Sequence, residues 1–539
     1  MRKEKKSEFL LLLFLGILGF LIWFLSVKLL YPPYLTFSDA AKFADAAFQM
    51  IQGNGFTAKF GFFHPNFVFS PESSQPIAPG FGILNAISIF IFFKILGVND
   101  FAVIFSSGFF FILTSFLIYF LAKKLFNQKI AFFSALSFIF TQPLLNYASI
   151  GASEPLFVFL FLLSCFLFIQ KGTYSVYASG IVGSLLFLTR PQAPIYFVGL
   201  TLLVFLCAQK NKIRRLLVWT GVFILIIVSL FILSKLTGQK LIHLELAPSL
   251  FSERATVSQN ITIRGKPNVF YSSLLSSFKP LATKAFYNLY NFYKLLPSLA
   301  SFSLITLYFL SLIRWDRKKE ANALHFAGFF ILLVSFFVSA ITIPFMRYIH
   351  PVVPLVIIFS VEMLFWILDR IFKDRKKVLV VCTLFILFFV IGQTLGSLFL
   401  DSRYLRNHVN WGKPPAYVKL AQILRENTKE NEIVLSNLDT WGTWYGKRKT
   451  IWFPSEPEQL VPPQNKRLAI DAIYLTSYKM DDEASFMGDG WRKILNFPEQ
   501  LEDDFISRNF NLVKKFEISE NETYEGEKLT AVLLTRNKK

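Results

Sequence analysis

Two acidic side chains stand at the ends of long apolar segments, where a carboxylate can do chemistry. Asp39 is the first acid after the first apolar run, and Glu154 opens a later apolar segment in Ala152-Ser-Glu-Pro-Leu156. An acid at a membrane boundary is costly unless it is paired or used. At the position of Asp39, a carboxylate can take a proton from a hydroxyl that attacks a lipid-borne substrate. Alternatively, each acid only complements the positive end of a helix.

Basic side chains stand at similar boundaries. Arg190 lies in Thr189-Arg-Pro-Gln192, and Arg347 and Tyr348 begin Arg347-Tyr-Ile-His-Pro351. A guanidinium fork matches the oxygens of a phosphate, so Arg190 and Arg347 are candidates to hold the phosphate of a lipid carrier. Tyr348, which adjoins Arg347, is a further candidate for substrate binding. The alternative is that each arginine only extends its charge to the membrane surface.

The elements that must position these residues are membrane helices. The chain of 539 residues is 54% hydrophobic, contains 65 Phe and has a mean hydropathy of +0.48. Its apolar blocks are long enough to cross about 30 Å of hydrocarbon. The formal net charge of +21 comes mainly from short connectors between these blocks, where it indicates topology and contacts with membrane lipids rather than nucleic-acid binding. The sequence predicts a multi-pass protein of the cell membrane.

The basic connectors predict the topology. If the basic N-terminus and all basic connectors are cytoplasmic, an even number of spans separates each consecutive pair. This rule predicts that 79–96 is a juxtamembrane or re-entrant helix. Apolar residues at helical spacing predict a second helix on the membrane surface over 39–52. The alternative is that 79–96 is a short true span. The eleven predicted spans are residues 9–30, 101–121, 130–147, 153–169, 174–189, 193–208, 216–236, 297–313, 322–343, 349–368 and 377–400.

The sequence divides into two predicted domains. Residues 1–400 form a transmembrane domain with outer loops 31–100 and 237–296, and residues 401–539 form a small α/β domain outside the cytoplasm. In this tail a helical stretch at 415–427 is followed by short apolar strands, which is typical of an α/β unit. The predicted strands are residues 432–436, 468–476, 510–518 and 529–534. Its aromatic residues either stack on a sugar or pack in a core: Trp441, Trp444, Tyr445 and Trp452.

The order of these motifs resembles a known family. Asp39 after the first helix, Gln52-Gly-Asn-Gly55 at the end of a surface helix and Gln75-Pro-Ile-Ala-Pro-Gly80 before the next helix are similar to polyprenol-phosphate-sugar glycosyltransferases of GT-C fold. The closest resemblance is to the protein-mannosyltransferase-like group, glycosyltransferase family 39, and to the lipid A aminoarabinose transferases. It covers roughly residues 1–370. The expected fold is therefore a mainly α polytopic membrane protein of GT-C type.

The resemblance implies an enzyme that moves a sugar from a polyprenyl-phosphate donor to an acceptor outside the cytoplasm, with inversion at the anomeric carbon. Asp39 would be the general base. Arg190 and Arg347 would stabilise the departing phosphate, and Glu154 would bind acceptor or donor sugar or assist a metal. The acceptor class stays open between protein, lipid and glycan.

The sequence departs from the family pattern at two places. Many members carry a second acid directly beside the first, where this chain has Ser38 and Ala40. The segment just before the second juxtamembrane helix, 79–96, often carries Glu, Lys or His in the family. This chain has Ser74 and Gln75 there. Both departures leave open whether a divalent metal, Mg²⁺ or Mn²⁺, takes part.

Two other classes of protein compete with the transferase. A transporter or flippase of lipid-linked glycans also has many helices and intramembrane charges, but it usually shows internal repeats and short loops. A scaffold or sensor that binds through its tail gives no reason for Asp39, Glu154 and both arginines to lie on one face. The sequence favours the glycosyltransferase.

Overall fold

A computed structural model gives the architecture of the chain. It describes residues 2–63, 68, 82–170, 172–207, 212–237, 274–341, 345–400, 412–454, 456–463, 468–482, 487–500 and 505–537. The segment with Ser74 and Gln75, just before the second predicted juxtamembrane helix, lies outside the described residues. So does most of the predicted outer loop 237–296. The described part is mostly helical, with a single sheet in its C-terminal half.

The helices follow the apolar blocks of the sequence. They are α1 (Arg2–Leu30), α2 (Ser38–Ile51), α3 (Ile83–Leu96), α4 (Asp100–Leu125), α5 (Gln128–Ile139), α6 (Gln142–Ser149), α7 (Glu154–Ile169), α8 (Thr173–Leu185), α9 (Ala193–Cys207), α10 (Lys212–Thr237), α11 (Leu274–Leu295), α12 (Phe302–Ser311), α13 (Lys319–Ile341), α14 (Val353–Ile371), α15 (Arg375–Ile386), α16 (Gly392–Leu400), α17 (Ala416–Asn427), α18 (Trp441–Trp444), α19 (Asp489–Asn496) and α20 (Phe505–Asn509).

Several of these helices can cross a membrane. Among the described residues, six helical segments are long and apolar enough, and the number rises to eight if each of two bent pairs, α5 with α6 and α11 with α12, counts as one span. Four shorter apolar helices, α3 among them, add to the bundle. The chain is thus a multi-pass membrane protein, and the count of eleven spans stays a prediction.

Helix α2 lies where the sequence predicts a surface helix, shifted by one residue to Ser38–Ile51. Phe37 occupies its N-cap position and gives no side-chain hydrogen bond. Gly53, just beyond the end of the helix, has φ +82°, a backbone angle that glycine adopts without strain. The small residues Ala40, Ala44 and Ala47 are fully buried, so α2 packs closely against its neighbours with Asp39 in its first turn.

A six-stranded sheet forms the core of the C-terminal unit. Its strands are β1 (Phe60–Phe62), β2 (Ile433–Ser436), β3 (Lys449–Trp452), β4 (Ala472–Thr476), β5 (Phe510–Ile518) and β6 (Leu529–Arg536), in the order β1-β3-β2-β4-β6-β5. The first four strands in this order are parallel to one another, and β6 is antiparallel to both β4 and β5. The sequence predicts β2, β4, β5 and β6, while β1 and β3 come from the structure alone.

The sheet is buried on both faces. Val434, Ala472 and Leu533 belong to the large hydrophobic core that continues into the membrane helices, whereas Leu435 and Ile473 belong to a second core with Trp491 of α19. This alternation is what a sheet covered on both sides requires. Strand β1 belongs to the segment 31–100, which the sequence predicts as the first outer loop. This segment therefore supplies one edge strand of the C-terminal sheet.

Asp100, at the start of α4, joins the C-terminal unit to the membrane helices. Its two carboxylate oxygens accept hydrogen bonds from Trp444 Nε1 and the Tyr445 hydroxyl, each at 2.7 Å. The backbone N–H of Leu35 donates to the same Tyr445 hydroxyl at 2.8 Å, and the Tyr417 hydroxyl donates to the Leu35 carbonyl at 2.8 Å. These contacts hold the C-terminal unit beside the start of α2, where the Thr440 hydroxyl donates to the carbonyl of Ser38 at 2.9 Å.

Candidate active site

The carboxylate of Asp39 is paired with the guanidinium of Arg347. Arg347 Nη1 donates to Asp39 Oδ2 at 3.0 Å, across a sequence separation of 308 residues. The side chains are partly accessible, 27% for Asp39 and 22% for Arg347. Among the described residues, the other oxygen of Asp39 accepts no hydrogen bond, so it is available to a ligand hydroxyl.

The charges around Asp39 keep it ionised. Burial acts to raise the pKa of Asp39, but the positive charges of Arg347, Lys42 and Arg190 act against it, together with the hydrogen bond from Arg347. The balance puts the pKa below its ordinary value of 3.8. At neutral pH Asp39 is therefore a carboxylate, the form that can accept a proton.

Glu154 and Arg190 form a second, fully buried ion pair. Arg190 Nη1 lies 2.5 Å from Glu154 Oε1, and the side chains are 4% and 0% exposed. Arg190 also donates to Ser153 Oγ at 2.8 Å and to Gln192 Oε1 at 3.1 Å. The two motifs Ala-Ser-Glu-Pro-Leu and Thr-Arg-Pro-Gln thus meet through this arginine.

Tyr348 lies between the two arginines. Its ring centroid is 5.8 Å from the guanidinium carbon of Arg190 and 5.6 Å from that of Arg347. At these distances the electron-rich face of a tyrosine attracts a cation. The structure brings together all five residues that the sequence singled out: Asp39, Glu154, Arg190, Arg347 and Tyr348.

Close backbone contacts hold the two acids near each other. Gly151, in the turn that precedes Glu154, has φ +74°, and a β-carbon there would lie 3.4 Å from the Ala40 side chain and 3.2 Å from Val103. Glycine and alanine therefore let the start of α2 approach the start of α7. On the other side, Asn85 of α3 donates to the carbonyl of Thr189 at 3.1 Å, which fixes the backbone just before Arg190.

A cleft of about 430 Å³ opens beside Asp39, between the first outer loop and the C-terminal unit. Its polar lining includes Lys42, Asp439, Lys479 and Asp482, and its aromatic lining includes Phe37, Phe60, Phe62, Trp441, Trp452 and Tyr478. Rings beside alternating charges suit a ligand that carries hydroxyl groups on an apolar face. Asp39 therefore stands between this cleft and the arginine cluster.

The aromatic residues of the tail divide into two groups. Trp441 and Trp452 line the cleft, although each also packs in a hydrophobic core, with 6% and 5% of its surface exposed. Trp444 and Tyr445 instead bind Asp100, and Trp444 stacks on Phe93 with ring centroids 6.0 Å apart. Of the two predicted roles, stacking on a sugar or packing in the protein, Trp444 and Tyr445 therefore have the second.

The sequence reasoning missed Lys42 and Tyr147. Lys42 lies in the cleft one helical turn after Asp39, and burial lowers its pKa below the ordinary 10.5 although Asp39 and Asp439 oppose the shift. The i, i+3 spacing, which puts both on one face of a helix, was the signal available. Tyr147 is within hydrogen-bond distance of His350 Nδ1, at 2.9 Å, a contact that no local pattern reveals.

Several buried polar atoms around the two ion pairs have no hydrogen-bond partner among the described residues. They are Asn146 Oδ1, both carboxylate oxygens of Glu154, Gln192 Nε2, Arg347 Nε and His350 Nε2. Most buried polar groups in proteins have partners, so this concentration indicates a site for a polar ligand. It also shows that Glu154 and Arg190 attract by charge without a well-directed hydrogen bond.

The donor set around Asp39 does not fit a metal ion. In the described part of the chain, no three side chains of His, Cys, Asp or Glu come together as ligands. The nearest charged partner of Asp39 is a guanidinium rather than a second carboxylate. We therefore assign no metal ligand among the described residues, and the participation of Mg²⁺ or Mn²⁺ stays an open question.

Part of the chain matches a family of membrane glycosyltransferases. Residues 82–234 match the family model of dolichyl-phosphate-mannose-protein mannosyltransferases. Among curated proteins, no sequence is significantly similar to the chain. The match includes Glu154 and Arg190 and ends well before Arg347.

Solved structures of three membrane enzymes have similar folds. ArnT from Cupriavidus metallidurans bound to undecaprenyl phosphate is 12% identical, with a TM-score of 0.53 and 97% of both chains covered. The archaeal oligosaccharyltransferase AglB from Archaeoglobus fulgidus, in complex with an inhibitory peptide and a dolichol-phosphate, is 11% identical, with a TM-score of 0.56 over 89% of this chain and 70% of that one. The arabinofuranosyltransferase AftD from Mycobacteria is 10% identical, with a TM-score of 0.50 over 98% of this chain and 40% of that one.

These findings confirm the resemblance predicted from the sequence. The chain has the GT-C fold, the fold of membrane glycosyltransferases that use polyprenyl-phosphate donors.

Proposed function

We propose that the protein transfers a sugar from a polyprenyl-phosphate donor to an acceptor hydroxyl outside the cytoplasm, with inversion at the anomeric carbon. The observation that carries this proposal is the position of Asp39. One of its oxygens pairs with Arg347 at 3.0 Å, and its side chain also lines the cleft beneath the C-terminal unit. A base between a phosphate-binding cluster and an acceptor cleft is what such a transfer requires.

The donor phosphate binds at Arg190 and Arg347. The guanidinium carbons of both arginines lie within 6 Å of the Tyr348 ring centroid, so the two positive charges face the donor phosphate as one cluster. Arg190 is held in place by Glu154, Ser153 and Gln192, which reduces the rearrangement needed when the phosphate arrives. Planar guanidinium groups stabilise the negative charge that develops on the leaving phosphate oxygen.

The acceptor binds in the cleft beside Asp39. As its hydroxyl oxygen attacks the anomeric carbon, a carbon–oxygen bond to the acceptor forms and the bond to the phosphate oxygen breaks. The hydroxyl proton passes to Asp39, and polyprenyl phosphate leaves with the bonding electrons. Attack from the face opposite to the phosphate inverts the configuration.

Arg347 links the two half-sites. In the structure it pairs with Asp39, which keeps the carboxylate ionised and weakly basic. A donor phosphate competes for the same guanidinium, and a weaker hold on Asp39 lets the pKa rise towards the range where a carboxylate is a better base. Donor binding would thus make Asp39 a stronger base at the moment when the acceptor hydroxyl attacks.

The test is release of free polyprenyl phosphate by the full chain in nanodiscs. A panel of polyprenyl-phosphate sugars is supplied with membrane extract as acceptor, and Asp39→Asn is the control. Release that depends on Asp39 supports the transferase and names the donor sugar. If no donor gives release while lipid-linked glycan moves across liposomes, the protein is a transporter and the proposal fails.

A further inference from the structure

A second cavity lies at the end of the bundle away from Asp39. It encloses about 840 Å³ and is bounded by the C-terminal end of α4, the start of α5, the connector 312–318, the end of α14 and the start of α15. Helix α4 begins with Asp100 at its other end and is 26 residues long, which corresponds to about 39 Å at the rise of an α-helix. The cavity is therefore separate from the candidate active site.

The wall of this cavity carries an excess of positive charge. Six basic side chains, Lys129, Arg314, Arg317, Lys318, Arg370 and Arg375, line it with three acids, Asp316, Glu362 and Asp369. Glu362, whose side chain is 3% exposed, pairs with both Arg314 and Arg317, and Arg314 also pairs with Asp316. In the part of the chain that the structure describes, Lys129, Lys318, Arg370 and Arg375 have no ion pair.

One face of α14 organises this wall. Glu362, Trp366 and Arg370 follow each other at intervals of four residues, so they lie on one side of the helix. The guanidinium carbon of Arg370 is 3.8 Å from the ring centroid of Trp366, and that of Arg314 is 5.2 Å away. A guanidinium stacked on an indole keeps its edge N–H groups free for a phosphate. Buried Glu362 and partly buried Trp366 thus hold the arginines in place.

The apolar part of the wall continues into the outer surface of the bundle. Phe365, Val378 and Leu379 line the cavity, and the same helix as Leu379 exposes Val380 and Leu384. A cavity with a basic side and an apolar side that reaches the lipid-facing surface matches the headgroup and first methylene groups of a membrane lipid. A free phosphate ion would use only the basic side.

We propose that this cavity binds the phosphate headgroup of an anionic phospholipid. The headgroup phosphate accepts hydrogen bonds from Arg370 and Arg375, and the acyl chains follow Leu379 and the exposed residues of α15. Topology signals alone would place Lys and Arg here, but they do not require a stacked arginine or a buried glutamate that orients two others. The proposal does not depend on the reaction catalysed at Asp39.

The experiment is native mass spectrometry of the delipidated full chain in detergent, titrated with phosphatidylglycerol and, separately, with phosphatidylcholine. The test variant is Arg370→Gln with Arg375→Gln. The matched control is Lys373→Gln with Lys377→Gln, which removes the same charge from the same stretch without touching the cavity wall. We expect one molecule of phosphatidylglycerol to bind, and to bind more tightly than phosphatidylcholine. Because each basic side chain contributes about 1 kcal/mol to the binding of an anionic lipid, the test variant should weaken phosphatidylglycerol binding about thirtyfold.

Each outcome decides the proposal. Weakening confined to the arginine variant supports it, while equal weakening in both variants, or none in either, overturns it. Inorganic phosphate that displaces the lipid at equal concentration would make the ligand a soluble anion and overturn the lipid assignment. Arg370→Lys keeps the charge and loses the stacked plane, so it should also weaken binding, and unchanged affinity would contradict the geometry.

Discussion

Replacing Arg347 by Gln should move the pH dependence of sugar transfer. Arg347 Nη1 is 3.0 Å from Asp39 Oδ2, a separation that corresponds to about 5.5 kcal/mol for two unit charges at an effective dielectric constant of 20. At 1.36 kcal/mol per pKa unit, the limit is about four units. Solvent reaches 27% of the Asp39 side chain, and Lys42 and Arg190 still act on it in the variant, so the shift is smaller.

The direction follows from the balance of effects on Asp39. The pKa is below 3.8 because the nearby cations outweigh burial. Without Arg347 burial acts against fewer positive charges, so the pKa of Asp39 rises. Only the ionised carboxylate accepts a proton, so activity is lost as the pH falls through this pKa. The acid side of the profile therefore moves to higher pH in the variant.

The assay is kcat/KM for release of polyprenyl phosphate, measured between about pH 3 and pH 8, so that the acid side of the original protein, where the pKa of Asp39 is below 3.8, is included. The donor is a phosphodiester and does not titrate in this range, so the acid side reports the enzyme. Arg347→Gln also weakens donor binding, which lowers the profile as a whole, so the comparison uses its midpoint rather than its height.

Arg190→Gln is the matched control, because it removes the same charge from a guanidinium that pairs with Glu154 rather than Asp39. It should lower activity with a smaller shift of the acid midpoint. Equal midpoints for the original protein and Arg347→Gln would refute the reasoning that Arg347 sets the basicity of Asp39.

Three further variants test the rest of the site. Asp39→Asn should lower transfer by about 10²- to 10⁴-fold while donor binding is retained. The control, Asp45→Asn on the same helix, should keep its rate of transfer per folded molecule. Normal turnover of Asp39→Asn would exclude the base role. Glu154→Gln leaves the buried guanidinium of Arg190 without its acid, which should destabilise the protein by about 3–5 kcal/mol, and an unchanged melting temperature in detergent would contradict the pair. Asp100→Ala removes the acceptor of two 2.7 Å hydrogen bonds, so limited proteolysis should release the C-terminal unit faster, and an unchanged cleavage rate would mean that other contacts hold it.

The sequence predicted most elements because their signals are local. Apolar blocks long enough to cross a membrane predict helices directly, and short alternating strands after residue 401 predict a sheet. Strand β1 was missed because it has only three residues. Strand β3 has four residues, like β2, but it begins with Lys449 and Thr450 and so lacks the apolar run that reveals β2. Their pairing joins residue 60 to residue 450, a separation that periodicity does not report.

By itself the sequence determined the class of protein and the chemical groups available to it. The types and order of Asp39, Glu154, Arg190 and Arg347 are fixed by the chain, and so is their place at the ends of apolar segments. Only the tertiary structure decided that Arg347 pairs with Asp39 and Arg190 with Glu154. The choice of partner depends on how α2, α7 and α14 pack and on the close approach at Gly151, and packing between distant segments leaves no trace in local sequence patterns.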